Sequence, residues 1–220
     1  MSTGARTTDR VAPAGGRGAA GELDALIGMT ILLGAWVMLF AALFFAYGVV
    51  RVQASEWPPF GAPRLPRGLP ALNTLLLVAS SLTLGRGLAR ARRGDARALR
   101  PALGATMVLG AGFLAAQIAL WHGLIGRGLL PSSGVYGSVF FAFTGFHALH
   151  VLGGLIVLGA LAMRNPDPSE ARLAERSERQ GLGTPLRVPI LKIRAARLAA
   201  LYWDFVAVIW VLMYLSIFCL

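Results

Sequence analysis

The chain has 220 residues, 56% of them hydrophobic and 14% charged, with a mean hydropathy of +0.64. That balance excludes an ordinary soluble domain and indicates a polytopic membrane protein. The net charge of +11 would raise the question of nucleic acid in a soluble chain; here the arginines cluster between apolar runs and no aromatic-interleaved basic module occurs, so no nucleic-acid partner is expected.

Residues 1–25 are small and polar, without the apolar core of a signal peptide, and predict a flexible cytoplasmic tail. A first membrane helix is expected over about 26–50, with Trp36 inside it and Tyr47 near one end. The following segment, rich in proline and glycine, cannot continue a helix; Trp57 with Pro58 and Pro59 reads as an interfacial loop. A second helix, about 71–88, carries Asn73, Thr74, Ser80, Ser81 and Thr83, side chains suited to helix–helix hydrogen bonds. After a strongly basic loop comes a third helix, about 101–124, with Gln117, Trp121 and His122 towards its end. The fourth, about 135–163, is the most apolar, broken only by Thr144, His147 and His150; Gly145, Gly153 and Gly154 suggest close approach of a neighbouring helix or lipid. The long connection 164–199 predicts a short surface helix capped by Asp167, and a fifth membrane helix is expected over about 199–220. Cys219, the single cysteine, allows neither an intrachain disulfide nor a cysteine metal cluster.

The predicted fold class is therefore all-α, a bundle of five transmembrane helices. Of the 21 basic residues, 17 fall in the tail and the second and fourth connections, and 4 in the other two loops. The positive-inside rule then puts the N-terminus in the cytoplasm and the C-terminus on the outer side.

Two features carry polar chemistry within the apolar runs. His147 and His150, three apart, are expected on nearly the same helix face. They could ligate a metal or haem, or hydrogen-bond to neighbouring helices, a partner subunit or lipid. Metal sites want further ligands at one depth, and His122 lies near the far end of another helix, so no metal site is expected. Asp204 is the one acid within an apolar helix. With that helix starting near 199, it falls in the first turns, where the dipole favours a carboxylate and Arg197 could reach it. There it could collect protons at the surface, well separated in depth from His150. No phosphate-binding loop, nucleophile–base pair or carboxylate pair is visible, so no catalytic centre is expected in this chain.

Four segments, in order, resemble subunit III of the haem-copper (cytochrome c) oxidases in its five-helix bacterial form: EWPPFG with LPALNTLLLVASSLT, FLAAQ, YGSVFFAFTGFHALHVLGG and LYWDFVAVIWVLMYLSIF. The resemblance covers most of residues 26–220. It implies a non-catalytic subunit of a terminal respiratory oxidase in a bacterial plasma membrane. Its partners would be the catalytic subunit I and subunit II; haem and copper would lie in the partner, and this chain would hold phospholipid. Contact with lipid or another subunit is implied for His147, His150, Trp57, Asn73, Gly153 and Gly154. Three acids usual in the family are absent, their positions taken by Trp36, Leu120 and Ala207, while Asp204 stands where the family has histidine. The alternatives are an accessory subunit of a quinol oxidase or nitric oxide reductase, a stand-alone transporter, or a membrane scaffold without an oxidase partner.

Overall fold

The computed structural model describes residues 16–61, 63, 65–163 and 187–219. Helix α1 runs Gly16–Gln53, α2 Gly68–Arg92, α3 Leu99–Ile125, α4 Val135–Met163 and α5 Arg187–Tyr214. A 3₁₀ turn, Ala96–Ala98, leads into α3, and a π-turn, Leu215–Cys219, finishes α5. Five helices are long and apolar enough to cross a membrane, and no strand occurs among the described residues.

Two helices begin well before their apolar runs. Residues 16–25, expected in a flexible tail, are helical, because Ala19, Ala20, Glu22, Leu23 and Ala25 are good helix formers even though the stretch is not apolar. Helix α5 starts twelve residues earlier than the expected 199. Pro189 falls in its first turn, where the backbone N–H has no helical acceptor to lose. Hydropathy marks where a helix is in lipid, not where it begins. Helix α2 likewise continues to Arg92 and stops at Gly94, whose φ of +105° lets the chain turn while its N–H bonds back to Ala91. The surface helix expected after Asp167, and residues 1–15, lie outside the described residues.

Helix α2 packs along α3 and α5, α4 packs on α3 and α5, and α1 lies at the edge against α5 and α4. At Gly87 of α2 an added Cβ would overlap the Cβ of Ala102 on α3, so those two helices meet at backbone distance. The bundle differs from a water-soluble one in that its surface is apolar as well as its core. Ile31, Met38, Phe45, Leu75, Val108, Leu149 and Ile156 face outward. Asn73, Ser80, Thr106, Gln117, Thr144 and His147 are fully buried. Hydrocarbon outside gives no reason to hide apolar side chains and every reason to pair polar ones inside.

Trp203 sits at the centre. Its ring lies in a slot between Gly110 of α3 and Gly154 of α4: an added Cβ would meet the ring at 2.8 Å from either side. Its Nε1–H donates to Ser80 Oγ of α2 at 2.9 Å, so one side chain ties α5 to three other helices. Gly110→Ala and Gly154→Ala should each cost about 1–3 kcal/mol through overpacking and lower the unfolding midpoint in detergent. Gly145→Ala, whose added Cβ meets nothing within 4 Å, should not lower it. Equal midpoints for all three variants would rule out the slot.

Candidate functional site

The two histidines of α4 do not share a site. Three residues apart on a helix they differ by about 60° around the axis, enough to give them different neighbours. His147 is fully buried among α3 and α5, its ring centroid 5.7 Å from Phe113 and 5.1 Å from Trp210. Neither of its ring nitrogens has a hydrogen-bond partner among the described residues. His150 turns towards α1, edge-on to Trp36 at 4.5 Å, with Nδ1 2.6 Å from its own helix carbonyl at Phe146. Among the described residues no group of three or more His, Cys, Asp or Glu could hold a metal ion.

Asn73 and Gln117 form the buried amide pair of the bundle. Asn73 Nδ2 donates to Gln117 Oε1 at 3.0 Å, fastening α2 to α3. The remaining amide atoms, Asn73 Oδ1 and Gln117 Nε2, have no partner among the described residues. Trp57 lies at the opposite surface from the basic α2–α3 loop, half-buried against Tyr136 at 5.0 Å and Tyr47 at 5.7 Å, with the Arg51 guanidinium 5.9 Å from its ring. Tyr47 and Arg51 both donate to the carbonyl of Ser216, tying the end of α1 to the end of α5. Of the two adjacent glycines, Gly154 meets the Trp203 ring, whereas a Cβ at Gly153 would be in ordinary contact with Tyr202 Oη at 3.5 Å.

Asp204 is not in the first turns of its helix. It is the eighteenth residue of α5 and lies near the middle of the apolar span Ile193–Cys219. Tyr202, two residues away, donates its hydroxyl to the carbonyl of His150 at 2.7 Å. Asp204 and His150 therefore lie at nearly the same depth, about 3 Å apart along the axis. The expected separation vanishes because α5 begins at Arg187. The partner of Asp204 is the hydroxyl of Ser81, on α2. Arg197 stands seven residues away on the same helix, about 10 Å along it. The carboxylate is exposed on the outer surface of the bundle, in a groove between α2 and α5.

Trp36, Leu120 and Ala207, the three residues read as standing in place of acids, are packing groups. Trp36 stacks edge-on against His150 and Tyr202, Leu120 is buried with Tyr136 and Phe140, and Ala207 is buried in the main core.

What residue-by-residue reading misses is the set of indole couples. Trp121 Nε1 donates to Thr144 Oγ1 at 3.0 Å, Trp210 Nε1 to Thr74 Oγ1 at 3.0 Å, and Trp203 Nε1 to Ser80. Each hydroxyl in turn donates to a carbonyl of its own helix. The only signal in the sequence is the abundance of Ser and Thr opposite apolar helices that carry Trp.

The sequence model of the family described as Cytochrome c oxidase subunit III matches residues 16–167. The probable cytochrome c oxidase subunit 3 of Nocardia farcinica is 36% identical over 193 residues, covering 87% of this chain and 86% of that protein. The probable cytochrome c oxidase subunit 3 of Mycobacterium leprae is 33% identical over 193 residues, with the same shares covered. The cytochrome c oxidase subunit 3 of Synechocystis is 31% identical over 195 residues, 89% of this chain and 75% of that protein.

Asn73 and His147 are equally buried but differ in partnership, so the same substitution should separate them. Asn73→Leu strands the Gln117 amide and should cost about 1–3 kcal/mol. His147→Leu removes two ring nitrogens without partners and should cost less. Thermal unfolding in detergent, followed by circular dichroism, measures both; a larger loss at His147 would contradict this ordering.

Proposed function

The chain belongs to the cytochrome c oxidase subunit III family, and from that premise we propose that it supports the oxidase as a packing and lipid-retaining subunit without a redox centre of its own. The haem and copper lie in the catalytic subunit it packs against, and oxygen reduction with proton translocation is the activity of the whole complex. The observation that carries this is how the membrane-buried polar groups are used. Asn73, Gln117, Ser80, Thr106 and Thr144 fasten helices of this chain to one another or cap their own helix carbonyls.

A proton relay needs groups that gain and lose a proton at successive depths. Trp36, Leu120 and Ala207 cannot do so. His150 and Asp204 share one depth and face different neighbours, α1 for the histidine and α2 for the carboxylate. Support of the partner therefore rests on contact and bound lipid. Trp57, with Arg51 and Tyr136 at the membrane surface, is suited to a phospholipid headgroup, the aromatic rings lying at headgroup level and the guanidinium meeting phosphate.

Purification of the tagged chain in mild detergent, followed by an optical spectrum and mass spectrometry, tests the assignment. A haem-bearing partner should co-purify, and the chain expressed alone should show no Soret band. A haem-free homo-oligomer from native membranes would favour a transporter or scaffold instead.

We propose further that the N-terminus faces the cytoplasm and the C-terminus the outer side, on the 17-to-4 distribution of basic residues. Reporter fusions after Arg93 and Arg176 should both give cytoplasmic signals. An external signal from either would overturn the orientation.

A further inference from the structure

The groove between α2 and α5 encloses about 640 Å³ on the lipid-facing side of the bundle. Its walls are almost wholly aliphatic, with Val78 and Leu82 on one side and Val208 and Leu212 on the other. Two groups break that pattern. Asp204 lies exposed at mid-span, and Arg86 lies in the same groove five residues beyond Ser81 towards the basic α2–α3 loop. Ser81 supplies one hydrogen bond to the carboxylate, which has room for about four. Arg86 makes no hydrogen bond or ion pair among the described residues. A carboxylate left against hydrocarbon costs about 3 kcal/mol at the centre of a span.

We propose that this groove receives a transmembrane helix of the haem-bearing catalytic subunit of the oxidase, bearing a cation or hydrogen-bond donor that meets Asp204 and an acceptor that meets Arg86. The proposal rests on the reading of the chain as a subunit packed against a catalytic partner, and it names the face that does so. Charge selects the occupant. An acyl chain fills the aliphatic walls but offers nothing to the carboxylate. A second copy of this chain, docked about a two-fold axis through the groove, brings Asp204 against Asp204. A helix with a donor at mid-depth satisfies Asp204. An acceptor about 7.5 Å nearer the basic loop, the rise from Ser81 to Arg86, satisfies the guanidinium.

The local surface suits a close approach. Ser81, Gly85 and Ala89 follow one another at intervals of four on the α2 side of the groove, so their small side chains line one stripe. An added Cβ at Gly85 meets nothing within 4 Å. A neighbouring backbone can come near enough there for short hydrogen bonds to Asp204 from its own side chain.

The test uses the whole complex, with Val208 replaced by the photo-reactive residue p-benzoylphenylalanine; Val208 is exposed in the groove, so the bulky group displaces nothing in the core. Irradiation in native membranes, then purification and peptide mass spectrometry, should give an adduct with a membrane segment of the haem-bearing subunit that carries a donor side chain. Asp204→Leu and the charge reversal Arg86→Glu should each reduce that adduct about tenfold, the loss expected when about 1.4 kcal/mol of contact is removed. Arg86 is exposed, so its reversal reads docking even where Asp204→Leu also lowers the unfolding midpoint. Adducts only with lipid or with a second copy of this chain, or a yield untouched by both variants, would overturn the proposal while co-purification of haem leaves the oxidase assignment standing. Absence of any haem-bearing partner would overturn both.

Discussion

An indole N–H buried in a membrane bundle has no water to turn to, and much of this structure follows from where three of them find acceptors. Ser80, Thr74 and Thr144 each spend their own proton on a carbonyl of the helix they belong to, at 2.7–2.9 Å, which leaves the oxygen free to accept. Trp203, Trp210 and Trp121 then donate to those oxygens from a different helix. Each couple satisfies two polar groups at once and fixes both the rotation and the depth of one helix against another, which apolar contact alone does weakly when lipid is as apolar as the core. Two of the three run between α5 and α2, so α5 is the helix that fastens the bundle. The glycines at 110 and 154 belong to the same device: they make the room that the Trp203 ring occupies between two helices.

The cost of such fastening is that buried polar groups are committed to holding the fold. Gln117 is tied to Asn73, Thr106 donates to carbonyls at Ala102 and Ser80, and His147 is enclosed by aromatic rings. Trp36 completes the pattern, filling a position where the family has an acid with a ring that packs on His150, Tyr202 and Phe205.

Much of the architecture was legible because hydropathy reports directly on the solvent a helix meets. The five long apolar runs and the polar residues set within them stand out without any structure. The ends of α1 and α5 did not, since helices continue beyond lipid wherever propensity allows, as through Ala19 to Ala25 and from Arg187 onward. That one boundary displaced Asp204 from the membrane surface to mid-span and replaced a suspected contact with Arg197 by one to Ser81. The histidines divide for a different reason: a spacing of three is close on a helical wheel, but in a bundle with neighbours on several sides it is enough to send His147 into the core and His150 towards α1. Gly110 was invisible as a contact residue, because nothing in a run of small residues says which one will face a tryptophan on another helix.

Trp203 and Asp204 are adjacent in sequence and about 100° apart around α5. The indole points into the bundle and holds it together; the carboxylate points out, where its partner among the described residues is a hydroxyl that itself lies at the surface. Trp203 and Trp210 secure α5 against α2 on the inner side, and Asp204 adds a bond to Ser81 between the same two helices at the outer surface. A charge that costs free energy in lipid and has one hydroxyl for a partner among the described residues is met most simply by a contact outside the chain. The helix that fastens the subunit is then also the one that presents it, with the two roles on different faces and open to separate substitution.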